Sequence, residues 1–130
     1  MLAVDTNIVV RYLVRDDAAQ TARADRLLHT QQILLLKSVI LETEWVLRYR
    51  YGFDRQAIVA SLRALSGLPE VHLEDAPVVA QALTWFSAGM DFADALHLAS
   101  SGAASRFATF DRAMVSSARR LKARDVFLLT

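Results

Sequence analysis

The sequence predicts an α/β fold, a three-layer α/β/α sandwich around a central, mostly parallel sheet. Five short apolar runs have the length of strands, and helical patterns separate them. A chain of 130 residues that is 54% hydrophobic can also bury a sizeable core. Alternating strands and helices are typical of parallel sheets joined by right-handed crossovers. We therefore expect one domain, residues 1–130, with all five strands in one sheet.

The individual elements follow from local signals. Apolar runs predict strands at residues 2–4, 33–36, 71–73, 107–110 and 126–129. Between them, apolar periodicity predicts helices at residues 6–14, 17–29, 38–51, 54–65, 75–87, 91–99 and 112–121. Ser38, Asp54 and Asp91 are predicted N-caps, because their short side chains can accept hydrogen bonds from the first turn. Gly52 and Gly67 are predicted stops.

Composition excludes some classes of function. The chain has no cysteine, which excludes disulfides, a thiolate zinc site and a cysteine nucleophile. Without a basic leader or a bilayer-length apolar run at the N-terminus, we expect a protein of the reducing cytoplasm, with no membrane partner. The net charge is only +1, but Lys and Arg are absent from residues 64–105 and crowd residues 106–124. Such polarised charge is found in nucleic-acid binders and in ordinary domains.

Four carboxylates are predicted at one end of the sheet. Asp5 and Asp111 each follow a strand and precede a helix, and open α/β sheets place their ligand crevice at the carboxyl ends of strands. Glu42 lies early in the helix after the second strand, and its apolar neighbours suggest partial burial. Asp94 lies near the start of another helix, where the helix dipole favours negative charge.

Converging carboxylates repel one another unless a cation lies among them. Oxygen ligands without sulfur select Mg²⁺ or Mn²⁺, which suit the hydrolysis of phosphodiesters. The residues also allow plainer readings. Asp5, Asp94 and Asp111 could cap helices, and Glu42 could be a solvated surface residue. Glu44 competes with Glu42, but it lies about 200° round the helix, so only one of them can face the crevice.

Four segments together resemble the PIN-domain nucleases, in particular toxins of the VapC type. They are Val4-Asp5-Thr6-Asn7, residues 39–42 followed by 45–47, residues 91–96, and Thr109-Phe110-Asp111. The resemblance covers essentially the whole chain, in the family's order and spacing. It implies an α/β/α sandwich, dependence on Mg²⁺ or Mn²⁺, cleavage of RNA, and neutralisation by a small antitoxin protein.

The resemblance also implies roles for individual residues. Asp5, Glu42, Asp94 and Asp111 match the acidic quartet, with Asp5 and Asp94 as the expected direct metal ligands. Asn7 and Thr109 match polar positions of the family and would orient carboxylates or waters. Asp91 matches a position that is often acidic in this subgroup, although a role as a helix cap is favoured there. Because no acid of the quartet is missing, we expect an active enzyme.

Three arginines adjoin the proposed crevice and are predicted to contact RNA phosphates: Arg11, Arg15 and Arg112. The plainer interpretation is that each of them lies on a solvated helix face. His97, one turn after Asp94, is expected to pack against the sheet rather than bind metal. A mean hydropathy of +0.25 leads us to expect a homodimer.

The alternative functions are a catalytically silent PIN-like scaffold or binding module and an RNA-processing nuclease that is not a toxin. A phosphatase with a nucleophilic aspartate would want a second aspartate two residues after Asp5, where Asn7 stands.

Overall fold

The computed structural model describes residues 1–130 and contains two compact units, Met1–Ala76 and Pro77–Thr130. The first unit contains β1 (Leu2–Ala3), α1 (Thr6–Val14), α2 (Ala18–Thr30), β2 (Ile33–Leu35), α3 (Lys37–Tyr49), α4 (Arg55–Ser66) and β3 (Val71–Leu73). Helix α5 (Ala76–Ser87) begins at the last residue of that unit. The second unit continues with α6 (Phe92–Ser100), β4 (Phe107–Thr109), α7 (Arg112–Arg120) and β5 (Val126–Leu128).

All strand pairings are parallel, which confirms the predicted α/β class. In the first unit the strand order is β1-β2-β3, with Ile33 of β2 in register with Leu2 on one side and Val71 on the other. In the second unit β4 pairs with β5, and Phe107 is in register with Val126. Hydrogen bonding thus joins the strands into sheets of three and two, where the sequence predicted a single sheet. Strands of two or three residues form few ladder bonds, and β1 pairs with β2 alone.

The central strand β2 explains where the core of the first unit lies. Ile33 and Leu35 are at most 1% exposed, as expected for a strand with neighbours on both sides. Leu47 of α3 and Ile58 of α4 are equally buried. In the second unit the ring of Phe92 is fully buried, and its centroid lies 5.4 Å from that of Phe86 in an edge-to-face contact.

Helix boundaries follow the local signals in most places. The bounds of α1 are as predicted, and Asp54 caps α4 by accepting a 2.8 Å hydrogen bond from the Ala57 N–H. The prediction for α3 was wrong at both ends. The helix begins at Lys37 and ends at Tyr49, so Ser38 is not its cap. Its first N–H group is satisfied from elsewhere in the sequence, because the Lys37 N–H donates to Glu74 Oε1 at 2.8 Å.

No helix in the structure is both long enough and apolar enough to cross a membrane.

Candidate active site

Asp5 stands between β1 and α1, as the sequence predicts. It is exposed, and it is the N-cap of α1: its Oδ1 accepts a 2.7 Å hydrogen bond from the Thr6 N–H. The preceding residue, Val4, is only 5% exposed and anchors the end of the strand segment in the core. The cap uses Oδ1 alone, so Asp5 Oδ2 has no hydrogen-bond partner in the protein. Capping the helix is therefore compatible with binding a cation.

Thr6 connects Asp5 to Glu42. Thr6 is 5% exposed, and its hydroxyl donates a short hydrogen bond to Glu42 Oε1 while its N–H donates to Asp5. One buried residue thus fixes two carboxylates that are 37 positions apart in the chain. Glu42 itself is exposed, so the predicted partial burial was wrong. The hydrogen bond from the Thr6 hydroxyl ties its carboxylate to α1.

Glu44 has a different role from Glu42, because the two lie on opposite sides of α3. The buried face of the helix includes Val39, Thr43 and Leu47, and Glu44 belongs to it with 1% exposure. Arg48 neutralises Glu44 through two hydrogen bonds, 2.6 Å from Nε to Oε2 and 3.1 Å from Nη2 to Oε1. Glu44 is therefore a structural ion pair, which leaves Glu42 as the candidate site residue of α3.

In the second unit, Asp91 and Asp94 lie at the start of α6. Asp91 is the N-cap, as predicted, and its Oδ2 accepts a 3.1 Å hydrogen bond from the Asp94 N–H. Asp94 is half-buried in the first helical turn. Partial burial raises the pKa of Asp94, and the negative charges of Asp91 and Asp111 raise it further, while His97 lowers it. Without a cation, desolvation and like-charge repulsion therefore both disfavour the charged form of Asp94.

Asp111 closes this second acidic group at the start of α7. Its Oδ1 accepts hydrogen bonds from the Ala113 and Met114 N–H groups at 2.9 and 3.3 Å. Its own N–H donates to the Thr109 hydroxyl at 3.0 Å. Thr109 therefore orients the backbone of Asp111. As with Asp5, the cap engages Oδ1 alone, and Oδ2 has no hydrogen-bond partner in the protein.

The donor chemistry fits a hard divalent cation. In neither unit do three or more His, Asp or Glu side chains come together as a preformed metal site. Every candidate donor is a carboxylate oxygen, and such ligands suit Mg²⁺ or Mn²⁺. The surroundings of Asp94 give a physical reason for a cation there, because burial and like charges both raise its pKa and a positive charge would offset both effects.

The remaining predicted residues lie in varied surroundings. Asn7 lines a 390 Å³ cleft between α1 and α2, and its side chain makes no hydrogen bond to either candidate acid. The Arg11 guanidinium donates to Asp16 and Tyr51, each at 3.1 Å, and Arg15 binds both carboxylate oxygens of Asp25. The guanidinium groups of both arginines are thus already hydrogen-bonded within the fold.

Two further side chains on the second unit are exposed. Arg112 lies at the first position of α7 and forms no ion pair. His97 is exposed, so its predicted packing against the sheet was wrong. The buried face of α6 consists of Phe92, Ala95, Leu96 and Leu98, and His97 points away from it.

Sequence reasoning missed Thr6 as a functional candidate. The available signal was its position, directly after an aspartate at a strand end and at the first residue of a helix. The hydroxyl of such a residue is close to the end of the sheet. Its partner on α3 could not be read from the chain, because the contact joins Thr6 to a residue 36 positions away.

Comparison with known families identifies the PIN domain. The family model described as the PIN domain matches residues 2–121, a range that includes every candidate acid. A comparison with curated proteins finds no match.

Proposed function

The chain belongs to the PIN domain family, and we propose that it is a metal-dependent endoribonuclease that hydrolyses RNA phosphodiester bonds. PIN domains are generally nucleases, and they typically use divalent metals. The observation that supports the proposal best is the environment of Asp94. A carboxylate whose pKa is raised by burial, and further by two neighbouring carboxylates, is a costly arrangement without a cation and a favourable one with it.

The proposal assigns Asp5 and Asp94 as direct ligands of Mg²⁺ or Mn²⁺, with Glu42 and Asp111 completing the acidic set. When bound, the cation supplies charge stabilisation at the phosphate and at the leaving oxygen. The chain's own residues hold the acids in place. Thr6 fixes Asp5 and Glu42 by two hydrogen bonds, and Thr109 fixes the backbone of Asp111. Because Asp5 and Asp111 use only one oxygen each as caps, both retain an anionic oxygen for binding.

The family match includes residues of both units, and it supports the proposal that residues 1–130 act as one nuclease domain.

Within the proposal, the chain is the toxin of a toxin–antitoxin pair and forms a homodimer in the cytoplasm. The cleft between α1 and α2 is lined by the apolar residues Ile8 and Leu27 and by the basic residues Arg11 and Arg23. This chemistry suits an antitoxin segment that carries both apolar and acidic side chains. On α3, Trp45 and Tyr49 are 52% and 62% exposed, and their contacting rings offer a surface for a second copy.

The test is cleavage of a cellular RNA pool by the purified protein with Mg²⁺ or Mn²⁺, beside EDTA. Asp5→Asn and Asp94→Asn remove one anionic oxygen donor each with little change in shape. Asp54→Asn is the matched control, because Asp54 is an exposed helix cap of the first unit and asparagine also caps helices. Metal-dependent cuts that persist in the control and disappear in both site variants support the nuclease.

Equal inertness of the wild type and all variants, with both metals, would contradict the nuclease and favour the scaffold. Cuts that persist unchanged in both site variants would contradict the assignment of the acids. Growth arrest on expression, relieved by a small neighbouring gene product, separates a toxin from an RNA-processing nuclease.

A further inference from the structure

An exposed aromatic ring stands directly beside one of the candidate acids. Phe110 is 78% exposed, more than any other large hydrophobic residue in the chain, and its ring contacts no other aromatic ring and no cation. It lies between Thr109, the last residue of β4, and Asp111, the cap of α7. The hydrogen bonds of Asp111 to Thr109 and to the first turn of α7 fix the backbone around Phe110. The ring is thus presented to solvent from a rigid segment.

One face of α7 continues from this point as a basic surface. Arg112, Ser116 and Arg119 lie at positions i, i+4 and i+7 of the helix, so they share a face that extends about 10 Å. All three are exposed, and they line a 250 Å³ cleft whose apolar floor is Val115 and Leu128. The cleft combines two cations, a hydroxyl and apolar contact area.

The charges of this face are not used by the fold. Arg120 donates to the Ala88 carbonyl, Arg124 donates to the Ala104 carbonyl, and Arg106 pairs with Asp125. Arg112 and Arg119 have no such partner, and residues 112–124 contain no Asp or Glu. Arg112 also stands at the positive end of the helix dipole, where a cation is unfavourable. Arg119, in the last turn, is favoured by the same dipole but has no partner in the fold, so stability does not explain Arg112 and explains Arg119 only in part. Recognition of a polyanion would use both.

We propose that Phe110 stacks on an unpaired base and that Arg112, Ser116 and Arg119 hold the adjoining backbone of a single-stranded RNA along α7. The choice of RNA rests on the proposed nuclease function, and the inference names the surface and the residues that bind it. Stacking needs a free base face, which a duplex hides between its neighbours. Arginines spaced along a helix can neutralise successive phosphates, and a hydroxyl can donate to a phosphate oxygen.

The test measures binding of a short single-stranded RNA that contains 2-aminopurine, with the wild-type protein in EDTA so that cleavage does not interfere. Binding is expected to quench the fluorescence of the probe as the base stacks. Phe110→Leu keeps an apolar side chain but removes the ring, so quenching should be lost and affinity should fall about 5-fold to 150-fold, the range for one stacked base. Phe110→Trp should quench at least as strongly as the wild type.

The arginines are tested by the salt dependence of the same binding. Arg112→Gln and Arg119→Gln should each lower the slope of log affinity against log salt concentration by about 0.7, the value for one phosphate contact with a single strand. Arg63→Gln is the matched control, because Arg63 is an exposed arginine of α4 outside this surface. A duplex of the same sequence should bind more weakly than the single strand.

Several outcomes would overturn the inference. These are no binding of the single strand in EDTA at low salt, quenching by Phe110→Leu equal to the wild type, or salt slopes of the two arginine variants equal to that of Arg63→Gln. Binding of polyglutamate with the same arginine dependence, without binding of RNA, would assign the surface to an acidic protein segment instead. The nuclease is tested separately. Metal-dependent cleavage together with wild-type binding by Phe110→Leu would support the nuclease and contradict this RNA surface. Stacking without cleavage would support the RNA surface and contradict the nuclease.

Discussion

Replacement of Thr6 by valine tests whether one hydroxyl holds the acidic pair of the first unit together. Valine has nearly the same shape, so Thr6→Val removes the donor to Glu42 and leaves the packing of this 5%-exposed residue almost unchanged. A hydrogen bond to a charged group contributes about 1.5–3 kcal/mol to stability. In a domain of this size each kcal/mol changes Tm by about 4 °C, so Tm should fall by about 6–12 °C. Cleavage by the folded variant should fall at least tenfold, because Glu42 loses the hydrogen bond that ties it to the helix capped by Asp5.

The measurements are thermal unfolding by circular dichroism and cleavage of an RNA substrate well below Tm. Thr6→Ser retains the hydroxyl and should recover most of the activity. Thr43→Val is the matched control, since Thr43 is fully buried and its hydroxyl donates to the Val39 carbonyl at 2.7 Å and to none of the candidate acids. It should cost stability and leave cleavage by the folded protein unchanged. Wild-type Tm and wild-type cleavage in Thr6→Val would refute the role assigned to this hydroxyl.

Three further predictions follow from charged groups. Burial and the charges of Asp91 and Asp111 raise the pKa of Asp94 in the folded state, so its contribution to stability is present below the ordinary Asp range and is lost as pH rises through the raised pKa. In EDTA, Asp94→Asn should therefore raise Tm at pH 7 and lose that advantage in acid; a lower Tm at pH 7 would contradict it. Arg48→Met leaves buried Glu44 unpaired and should cost up to about 3 kcal/mol in denaturant unfolding, whereas the double variant with Glu44→Leu should recover most of it. Asp111→Asn should keep Tm within about 2 °C, because asparagine Oδ1 can cap α7, but should abolish cleavage; a large loss of stability would show that the anionic charge supports the fold.

What the sequence could predict depended on whether the cause of a feature was local. The starts of α4 and α6 were predictable, because Asp54 and Asp91 cap N–H groups three residues ahead. The start of α3 was not, because Glu74, which satisfies the Lys37 N–H, lies 37 positions away. The same distinction explains why the sequence could nominate Glu42 but could not predict its link to Thr6.

The burial of the two α3 acids was a local question that the sequence could have answered. Both Glu42 and Glu44 have apolar neighbours, and that pattern alone does not distinguish them. Arg48, four residues after Glu44, is the distinguishing signal, because a buried carboxylate needs a partner and helical spacing places this one on the same face. Glu42 has no cation at either helical neighbour position towards the C-terminus, where Trp45 and Val46 stand. An acid left without a cation by its own helix is the better candidate for an external one.

The plain and the functional readings of the strand-end aspartates turn out to be compatible rather than exclusive. Asp5 and Asp111 both cap helices, which the structural reading requires, and each does so through Oδ1 alone. The cap fixes the carboxylate plane against the helix N-terminus. Oδ2 is thereby held in place without a protein partner, and a preorganised carboxylate oxygen is what a hard cation binds at the lowest cost. In this chain the helix cap is thus the device that would position the ligand, so evidence for capping at Asp5 or Asp111 does not count against a role in catalysis.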